Sequence, residues 1–406
     1  MPNKKPRVVM KFGGTSIGDP EKIRTVAEYA KNEAATRQVV VVVSAMGHTT
    51  DQIIARMKAL NSNTPAREMD VAMHIGEIEA AASLASVLCG LGCQARSMTG
   101  NQMELRAGGA HGKGHIIQID GADKMKQLLD QGNILVCAGF QGVDKNQDVM
   151  TLDRGGSDTT AVALAHALQG ECQIYTDVDG VYAVDPLLVQ NARRFDFITF
   201  GDMLAMSAAG AGVLMDRAVL LAQTHKVPLR VLISPSKGTS TGGTLVSDHD
   251  TMDARIEVDA PTQMGLAVRN NVAVVTINNV AHQPGAAAAI YEALANIMIG
   301  DSIQGKSTKN TASISLWVDT DSLEVVRQKL TAYAIQVDTN LACLTLVGSA
   351  MKEGKRFLAR LARVLGDANV NIQMQASSGT SILTVIAADD LPKAAMAIAE
   401  KFGLCS

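Results

Sequence analysis

In the first 180 positions, short and mostly apolar runs alternate with amphipathic stretches. The runs at 7–12, 39–43, 134–138 and 173–177 predict strands, because parallel strands that are buried on both faces lack polar alternation. Between them, the apolar spacing predicts helices from Pro20, from about Thr50, and over 77–88 and 157–168. This order predicts an α/β fold, with an open, mainly parallel sheet that carries helices on both faces.

The pattern changes after about Arg230. A polar Ser, Thr and Gly stretch at 234–243 is followed by two units with the same order of elements. The first has strands at 272–277 and 312–318 and helices at 286–295 and from about Ser322. The second has strands at 341–347 and 381–386 and helices at 357–365 and 392–402. We interpret them as a repeat of βαββαβ units, and the alternative is two unrelated α+β stretches.

Composition excludes several classes of protein. The 406 residues include 37 Lys and Arg against 40 Asp and Glu, without a long basic run, which argues against a nucleic-acid surface. Apolar runs of about 18 or more residues are absent, so no membrane span is expected. The basic start leads into a strand containing Lys11, unlike a signal peptide. We expect a cytoplasmic protein with two to four domains and six free, buried cysteines.

Three motifs could carry chemistry at the strand ends. In Lys11-Phe-Gly-Gly-Thr-Ser, the glycines would let backbone amides approach a phosphate, and the lysine would neutralise its charge; the alternative is a tight turn. In 151–160, Arg154 could bind a carboxylate through two hydrogen bonds. Asp158 could align the lysine or hold a metal, or the Ser and Asp of this stretch could merely cap a helix.

The third motif, residues 175–186, is an acidic loop. It carries Asp177, Asp179 and Asp185, without the glutamate that an EF-hand needs at its twelfth position. The alternative interpretation is an Asx-rich loop without a ligand. The His111-Gly-Lys-Gly-His115 segment could suggest a metal site, but we favour a loop that flanks the substrate.

Together with 43–47 and 139–144, these motifs resemble the amino acid kinase family, and within it the aspartate kinases, over nearly the whole chain. The two C-terminal units look like the paired ACT domains of that family. The resemblance implies an open three-layer α/β sandwich over residues 1–250, with a mainly parallel central sheet. Two ferredoxin-like (βαββαβ) ACT domains would follow, over 263–335 and 340–406.

The implied activity is ATP-dependent phosphorylation of the side-chain carboxylate of L-aspartate, giving 4-phospho-L-aspartate on the way to lysine, threonine and methionine. Mg²⁺ would bridge the phosphates. By position, Lys11, Asp158 and Arg154 would be catalytic. The nucleotide would be bound by Lys11, Gly13, Gly14, Ser16, Thr176, Asp177, Tyr182 and Asp185. Aspartate would be bound by Thr49, Glu77, Arg154, Gly155, Gly156 and Ser157.

The chain departs from the family pattern where two cations normally face the nucleotide. Leu187 and Gly212 stand where Arg and Lys are usual. Three alternatives therefore remain open. The chain is an aspartate kinase in which Arg217 or Lys226 supplies the charge, a kinase for another carboxylate in a specialised pathway, or a non-catalytic paralogue that binds amino acids.

Regulation is a further implication of the resemblance. Lysine or threonine would bind the ACT domains at Gln304, Asn371 and Ile372 and shift the kinase toward an inactive state. His282 and Gly300 stand where acidic residues are common. The alternative is that these domains only join two chains as a homodimer.

Overall fold

The computed structural model describes residues 5–153, 155–239, 242–248, 264–306, 310–348, 351 and 354–406. The chain divides into two compact units. The first comprises Met1–Val181, Arg194–Leu204 and Gly212–Val258. The second comprises Tyr182–Arg193, Ala205–Ala211 and Asp259–Ser406.

The first unit alternates strands and helices, as the sequence predicts. Its strands are β1 (Arg7–Phe12), β2 (Gln38–Val43), β3 (Ala95–Met98), β4 (Leu105–Gly108), β5 (His115–Ile119), β6 (Ile134–Ala138), β7 (Gln141–Val143), β8 (Val149–Thr151), β9 (Glu171–Thr176), β10 (Phe197–Thr199), β11 (Leu229–Ile233) and β12 (Thr244–Ser247). Its helices are α1 (Pro20–Ala34), α2 (Thr49–Leu60), α3 (Ala66–Met73), α4 (Ile75–Gly90), α5 (Ala122–Asp130), α6 (Gly156–Leu168) and α8 (Asp216–His225). Helix α7 (Phe200–Ala209) contributes residues to both units.

An eight-stranded sheet forms the centre of this unit, in the order β10-β12-β11-β9-β1-β2-β6-β3. All its strand pairs are parallel except β11 with β12. Alternate β1 residues, Val8, Met10 and Phe12, join a buried core with α1 and α4. Helix α6 packs on β1, β2 and β9, so the sheet is covered on both faces and the predicted α/β fold is confirmed. Burial of each of these three β1 side chains stabilises the folded state by roughly 1.5–3 kcal/mol.

A smaller sheet lies beside the main one, in the order β5-β4-β7-β8. Strands β7 and β8 form an antiparallel hairpin, in which Gln141 pairs with Thr151 and Val143 with Val149. This hairpin follows β6 and leads into α6. It therefore positions the start of α6 at the carboxyl edge of the main sheet.

The second unit contains one six-stranded antiparallel sheet, in the order β14-β15-β13-β16-β18-β17. Its strands are β13 (Gly265–Ala281), β14 (Ile299–Lys306), β15 (Thr311–Asp319), β16 (Ala334–Val347), β17 (Met374–Ser377) and β18 (Ser381–Ala387). Its helices are α9 (Ala286–Ala293), α10 (Leu323–Lys329), α11 (Gly354–Asp367) and α12 (Leu391–Phe402). The first repeat has the predicted βαββαβ order, from β13 to β16. The second shares β16 and continues through α11, β17, β18 and α12, with no further strand after α12 among the described residues.

Two strands of this sheet are much longer than the sequence predicts. β13 and β16 pair antiparallel along most of their length, with register shifts near Asn271 and Asn340, which both have positive φ. The extension arises because Gly265 to Arg269, before the predicted strand, pairs with Val347 to Cys343 of the second repeat. Strand β16 thus runs through the predicted domain boundary between 335 and 340, and the three-domain division stays a prediction.

One apolar helical stretch bears on the expectation that the chain has no membrane span. By length and composition, one helical stretch among the described residues, Ala66–Gly90, could cross a membrane. Its α4 part buries Ala80, Leu84 and Leu88 in the core of the first unit, which explains its apolar sequence.

The cysteines are free, but Cys89 is exposed and Cys93 and Cys405 are half-buried, so the prediction of six buried thiols is wrong for these three.

Candidate functional site

The loops that follow β1, β2 and β6 meet at the carboxyl edge of the main sheet. The Ser44 amide donates to the Phe12 carbonyl at 3.2 Å, and the Gly47 amide donates to the Gly14 carbonyl at 3.1 Å. A Cβ on Gly14 would lie 2.4 Å from the Ala45 carbonyl oxygen, so only glycine fits there. The loops after β1 and β2 are therefore in direct backbone contact.

Lys11 and Asp158 form a buried ion pair at this edge. Because side chains alternate along a strand, Lys11 points away from the face that carries Met10 and Phe12, toward α6. Its Nζ lies 2.7 Å from Asp158 Oδ1, and the two side chains are 13% and 10% exposed. Lys11 is thus held at the strand end beside Gly13, whose Cβ position is 3.6 Å from the same Nζ.

The start of α6 is fixed by glycines. Gly155 is the N-cap in the left-handed region (φ 71°), and no side-chain hydrogen bond caps the helix among the described residues. The alternative interpretation of Ser157 and Asp158 as capping residues is therefore wrong. Both are buried, and a Cβ on Gly139 would lie 2.7 Å from Ser157 Oγ, so the serine sits directly over the end of β6. Gly156 packs equally tightly against Leu152 and Phe140.

Glu77, near the start of α4, is buried with one oxygen available. Its Oε1 accepts a hydrogen bond from the Ala45 amide at 3.1 Å, and Oε2 has no hydrogen-bond partner among the described residues. Burial raises the pKa of the Glu77 carboxyl to about 7. Thr49 lies nearby, because its methyl group is 3.4 Å from the Cβ position of Gly76, and its hydroxyl donates to the Met46 carbonyl. A buried carboxylate oxygen without a partner favours a cationic ligand group.

Arg154 lies outside the described residues, but its neighbours are well placed. The Asp153 amide donates to the Gly114 carbonyl at 3.3 Å, and Gly155 begins α6. A Cβ on Gly155 would lie 2.1 Å from Met215 Cγ. Asp153 and Gly155 are therefore each held by contacts of their own.

The residues predicted for the nucleotide are more exposed and more dispersed. The Thr176 hydroxyl donates to the exposed Asp177 carboxylate at 3.0 Å. The loop after β11 reaches both predicted segments, since the Ser234 amide donates to the Thr176 carbonyl and the Ser236 hydroxyl to the Ser16 carbonyl. Ser16 Oγ is buried without a partner in the described part of the chain. This oxygen is available to a ligand.

Tyr182 and Asp185 belong to the second unit. There, Asp185 accepts a hydrogen bond from the Leu187 amide at 2.9 Å, and Leu187 is 92% exposed. Tyr182 is half-buried. The residues of the first unit are brought together by the structure, whereas these two are described only within their own unit.

The positions that lack the expected cations differ in their surroundings. Gly212 is exposed, and its Cβ position has no atom of a described residue within 4 Å. Arg217, in the first turn of α8, donates from Nη1 to the Gly114 carbonyl at 3.0 Å. Lys226 follows the other end of α8, about 15 Å away along a ten-residue helix. Of the two suggested substitutes, Arg217 thus contacts Gly114, whose carbonyl also accepts from the Asp153 amide, and Lys226 lies at the opposite end of α8.

Sequence reasoning missed Asp70 on α3, although it is fully buried. It accepts hydrogen bonds from the His111 ring, the Gly112 amide and the Thr151 hydroxyl. The only signal in the sequence is one acidic residue on the apolar face of a short helix. The hydrogen bond to Asp70 gives His111 a structural role in its loop. In the described ranges, no group of three or more His, Cys, Asp or Glu side chains could hold a metal.

The predicted effector positions lie at the ends of the second sheet. Gln304 is exposed on β14, and Asn371 and Ile372 shortly precede β17. The two edge strands β14 and β17 approach each other. Gly300 has no room for a side chain, because the Trp317 indole occupies its Cβ position, which explains the absence of an acidic residue there.

Comparison with known proteins follows the same division of the chain. The amino acid kinase family matches residues 6–232, and the ACT domain matches residues 344–402. The chain is 39% identical to aspartate kinase Ask_LysC of Stutzerimonas stutzeri, over 98% of this chain and 97% of that protein. It is 38% identical to the aspartokinase of Geobacillus stearothermophilus, with the same coverage.

Two solved structures have the same fold. Aspartokinase III of E. coli in complex with aspartate and ADP (R-state) has a TM-score of 0.79 at 23% identity, covering 98% of this chain and 100% of that one. The same enzyme in complex with lysine and aspartate (T-state) has a TM-score of 0.77 at 24% identity, covering 97% and 99%. The second unit is thus part of the shared fold.

Proposed function

This chain belongs to the amino acid kinase family, and we propose that it is an aspartate kinase, which phosphorylates the side-chain carboxylate of L-aspartate with ATP. The observation that carries this function is the pairing of two buried features at one sheet edge. One is the Lys11–Asp158 ion pair, and the other is the available oxygen of Glu77. Phosphoryl transfer between two anions needs such a fixed cation, and an amino acid acceptor needs an anion for its ammonium.

Aspartate is held by residues of the first unit. Glu77 Oε2 takes its ammonium, because this oxygen is buried and otherwise without a partner in the described part of the chain. Arg154 takes a carboxylate through two parallel hydrogen bonds. Thr49, Gly155, Gly156 and Ser157 line the acceptor side around them, and the glycines let the backbone approach closely.

The chemical step needs positioning more than it needs a protein nucleophile. The aspartate carboxylate is itself nucleophilic, so its oxygen forms the new bond to phosphorus without a general base. The bond between the γ-phosphorus and the bridging oxygen breaks, and ADP leaves with the electron pair. Lys11 stabilises the charge on the transferring group, and Asp158 holds the Lys11 ammonium in place.

The nucleotide is bound on the more exposed side. Gly13, Gly14 and Ser16 cradle the phosphates, Ser16 supplying a buried hydroxyl without another partner among the described residues. Thr176 ends β9 at the same edge and Asp177 follows it, whereas Tyr182 and Asp185, which belong to the second unit, are assigned to the nucleotide by the family resemblance alone. The two phosphate-facing cations usual in the family are absent at Leu187 and Gly212.

Mg²⁺ fits this arrangement as a companion of ATP. Among the described residues, no cluster of three or more ligand side chains could hold a metal without the nucleotide. Mg²⁺ typically binds phosphates together with one or two carboxylates, and the exposed Asp177 is a suitable ligand. When bound, the ion neutralises phosphate charge.

Feedback control by lysine or threonine is the regulation that the second unit supports. The segments with Gln304, Asn371 and Ile372 lie on β14 and before β17, which approach each other. A homodimer joined through the second unit is part of the same proposal. Since Trp317 fills the space at Gly300, an effector ammonium finds no acidic partner at that position. Dimerisation without an effector remains the alternative.

The test is a coupled ADP-release assay with aspartate, glutamate, N-acetylglutamate and other carboxylic amino acids. We expect turnover with aspartate that is far above that of a Lys11→Ala control. Turnover with a different acid alone would favour the specialised kinase. Turnover with none would leave a non-catalytic binding protein. Addition of lysine or threonine to the same assay tests regulation.

A further inference from the structure

A buried carboxylate on α3 joins two segments that are distant in sequence. Asp70 is fully buried, one helical turn from Met73 on the same face of α3. Its Oδ2 accepts from His111 Nδ1 at 2.8 Å, and both oxygens accept from the Gly112 amide at 3.1 Å. Its Oδ1 also accepts from the Thr151 hydroxyl. An isolated buried charge is unfavourable, and these donors compensate for its loss of water.

The two segments are also bonded to each other. The Gly114 amide donates to the Thr151 carbonyl at 3.0 Å, and the Gly114 carbonyl accepts from the Asp153 amide at 3.3 Å. The same carbonyl accepts from Arg217 Nη1 at 3.0 Å. Residues 111–114 therefore support 151–153 along their length, and Asp70 holds both segments against α3.

This support lies immediately before the acceptor-binding residues. Thr151 ends β8, and α6 begins five residues later with Ser157 and Asp158 in its first turn. A shift of 151–153 would move the segment that leads into these residues. Misplacing a binding residue by about 1 Å can reduce activity strongly, because catalysis depends on orientation.

We propose that Asp70 is a positioning residue for the acceptor side, which holds residues 111–114 and 151–153 so that the loop into α6 keeps its aspartate-binding geometry. This inference rests on the proposed function. It gives the histidine-containing loop a structural role in substrate binding. The nucleotide side has no bond to this cluster among the described contacts of Asp70.

The test is a set of matched variants assayed for aspartate and ATP separately. Asp70→Asn should raise KM for aspartate about tenfold while KM for ATP stays within about twofold, as expected for one charge-assisted hydrogen-bond network. The control is Asp148→Asn, whose half-buried carboxylate pairs with Arg67 of the same helix α3. It should leave both constants unchanged.

A second pair of variants keeps the test valid if Asp70→Asn does not fold. Thr151→Val removes the buried hydroxyl at nearly constant volume, whereas Thr151→Ser keeps it. We expect a rise in KM for aspartate of about fivefold with valine and recovery with serine. A folded variant with an unchanged KM for aspartate, or with equal changes for both substrates, would overturn the assignment.

Failure of the proposed function would be seen first in the wild-type protein, as absence of turnover with aspartate. Hydrogen exchange then decides on Asp70 independently. Amides of 111–114 and 151–153 should lose protection in Asp70→Asn and keep it in Asp148→Asn. Equal protection in both would contradict the inference.

Discussion

The residues proposed for the acceptor side and those proposed for the nucleotide side differ in burial. On the acceptor side, Glu77, Ser157 and Asp158 are each less than one-tenth exposed, and each lies against a neighbouring loop or strand. On the nucleotide side, Asp177 is exposed and Gly212 faces open space. The proposed acceptor residues are thus uniformly buried, whereas the proposed nucleotide residues range from the buried Ser16 to the exposed Asp177.

The difference indicates that the chain selects its amino acid substrate mainly through buried, preformed contacts. A small amino acid offers few contacts, so a preformed buried pocket is needed to select it. A nucleotide carries several phosphate charges and a bound cation, and an exposed loop can bind them with less preorganisation. By the family resemblance, the two missing cations at Leu187 and Gly212 fall on the proposed nucleotide side.

The largest expected effect is that of removing the cation between the two halves. Lys11→Ala should lower kcat by about 10²- to 10³-fold, because it removes charge stabilisation from the transferring group. Lys5→Ala is the matched control, since Lys5 donates to the Ala34 carbonyl at the surface. A Lys11→Ala enzyme with half of the wild-type kcat would remove Lys11 from the mechanism.

The next effect tests the acceptor side. Glu77→Gln should raise KM for aspartate by about 10- to 100-fold, because a neutral amide replaces the anion that faces the ammonium. Glu79→Gln, on the exposed face of the same helix, should change nothing. Steady-state kinetics with aspartate and ATP varied separately gives the answer, and an equal rise in both KM values would argue against the assigned role.

The pH dependence of the same variant sharpens this point. Burial raises the pKa of Glu77 to about 7, so its carboxyl is increasingly protonated as the pH falls below 7. KM for aspartate should therefore rise as the pH falls through this range in the wild type. In Glu77→Gln this rise should disappear. A pH profile that is identical in both proteins would show that Glu77 does not titrate in substrate binding.

A smaller effect tests the rigidity of the acceptor side. Gly155→Ala should destabilise the protein by about 1–3 kcal/mol, because alanine is strained at φ 71° and its Cβ would lie 2.1 Å from Met215 Cγ. Gly132→Ala is the control, with φ 87° but no atom near its Cβ position. Equal losses in chemical denaturation would mean that the contact with Met215 is unimportant.

The smallest effect tests the nucleotide side. Gly212→Lys introduces a cation where no described residue lies within 4 Å of the Cβ position, so the described surroundings accommodate the side chain. KM for ATP should fall about three- to fivefold, which corresponds to one partly screened ion pair. KM for aspartate should stay constant. If KM for ATP does not change, another group such as Arg217 already compensates for the missing lysine.

The sequence predicted the parts of the site that depend on local pattern. The apolar run of β1 and the start of α6 follow from periodicity, and both lie at the edge where parallel strands end. The approach of Lys11 to Asp158 follows from that rule. The sequence also predicted the repeated order of helices and strands in the second unit, because each repeat carries its own helix and strand signals, but the final strand of the second repeat is not found among the described residues.

The remaining features depend on contacts between distant segments. Asp70 meets His111 and Thr151 across 41 and 81 residues, and nothing local to α3 indicates these partners. The length of β13 depends likewise on pairing with β16 in the other repeat. Periodicity identifies which face of an element is buried. It does not identify what covers that face.

The central claim is that the preformed acceptor side delivers the side-chain carboxylate of aspartate to ATP. The most direct measurement is to trap the product with hydroxylamine and to locate the hydroxamate on aspartate by mass spectrometry. We predict aspartate β-hydroxamate in amounts that match the ADP released, and none with the Lys11→Ala variant. ADP release without this hydroxamate, or hydroxamate on the α-carboxylate, would contradict the account.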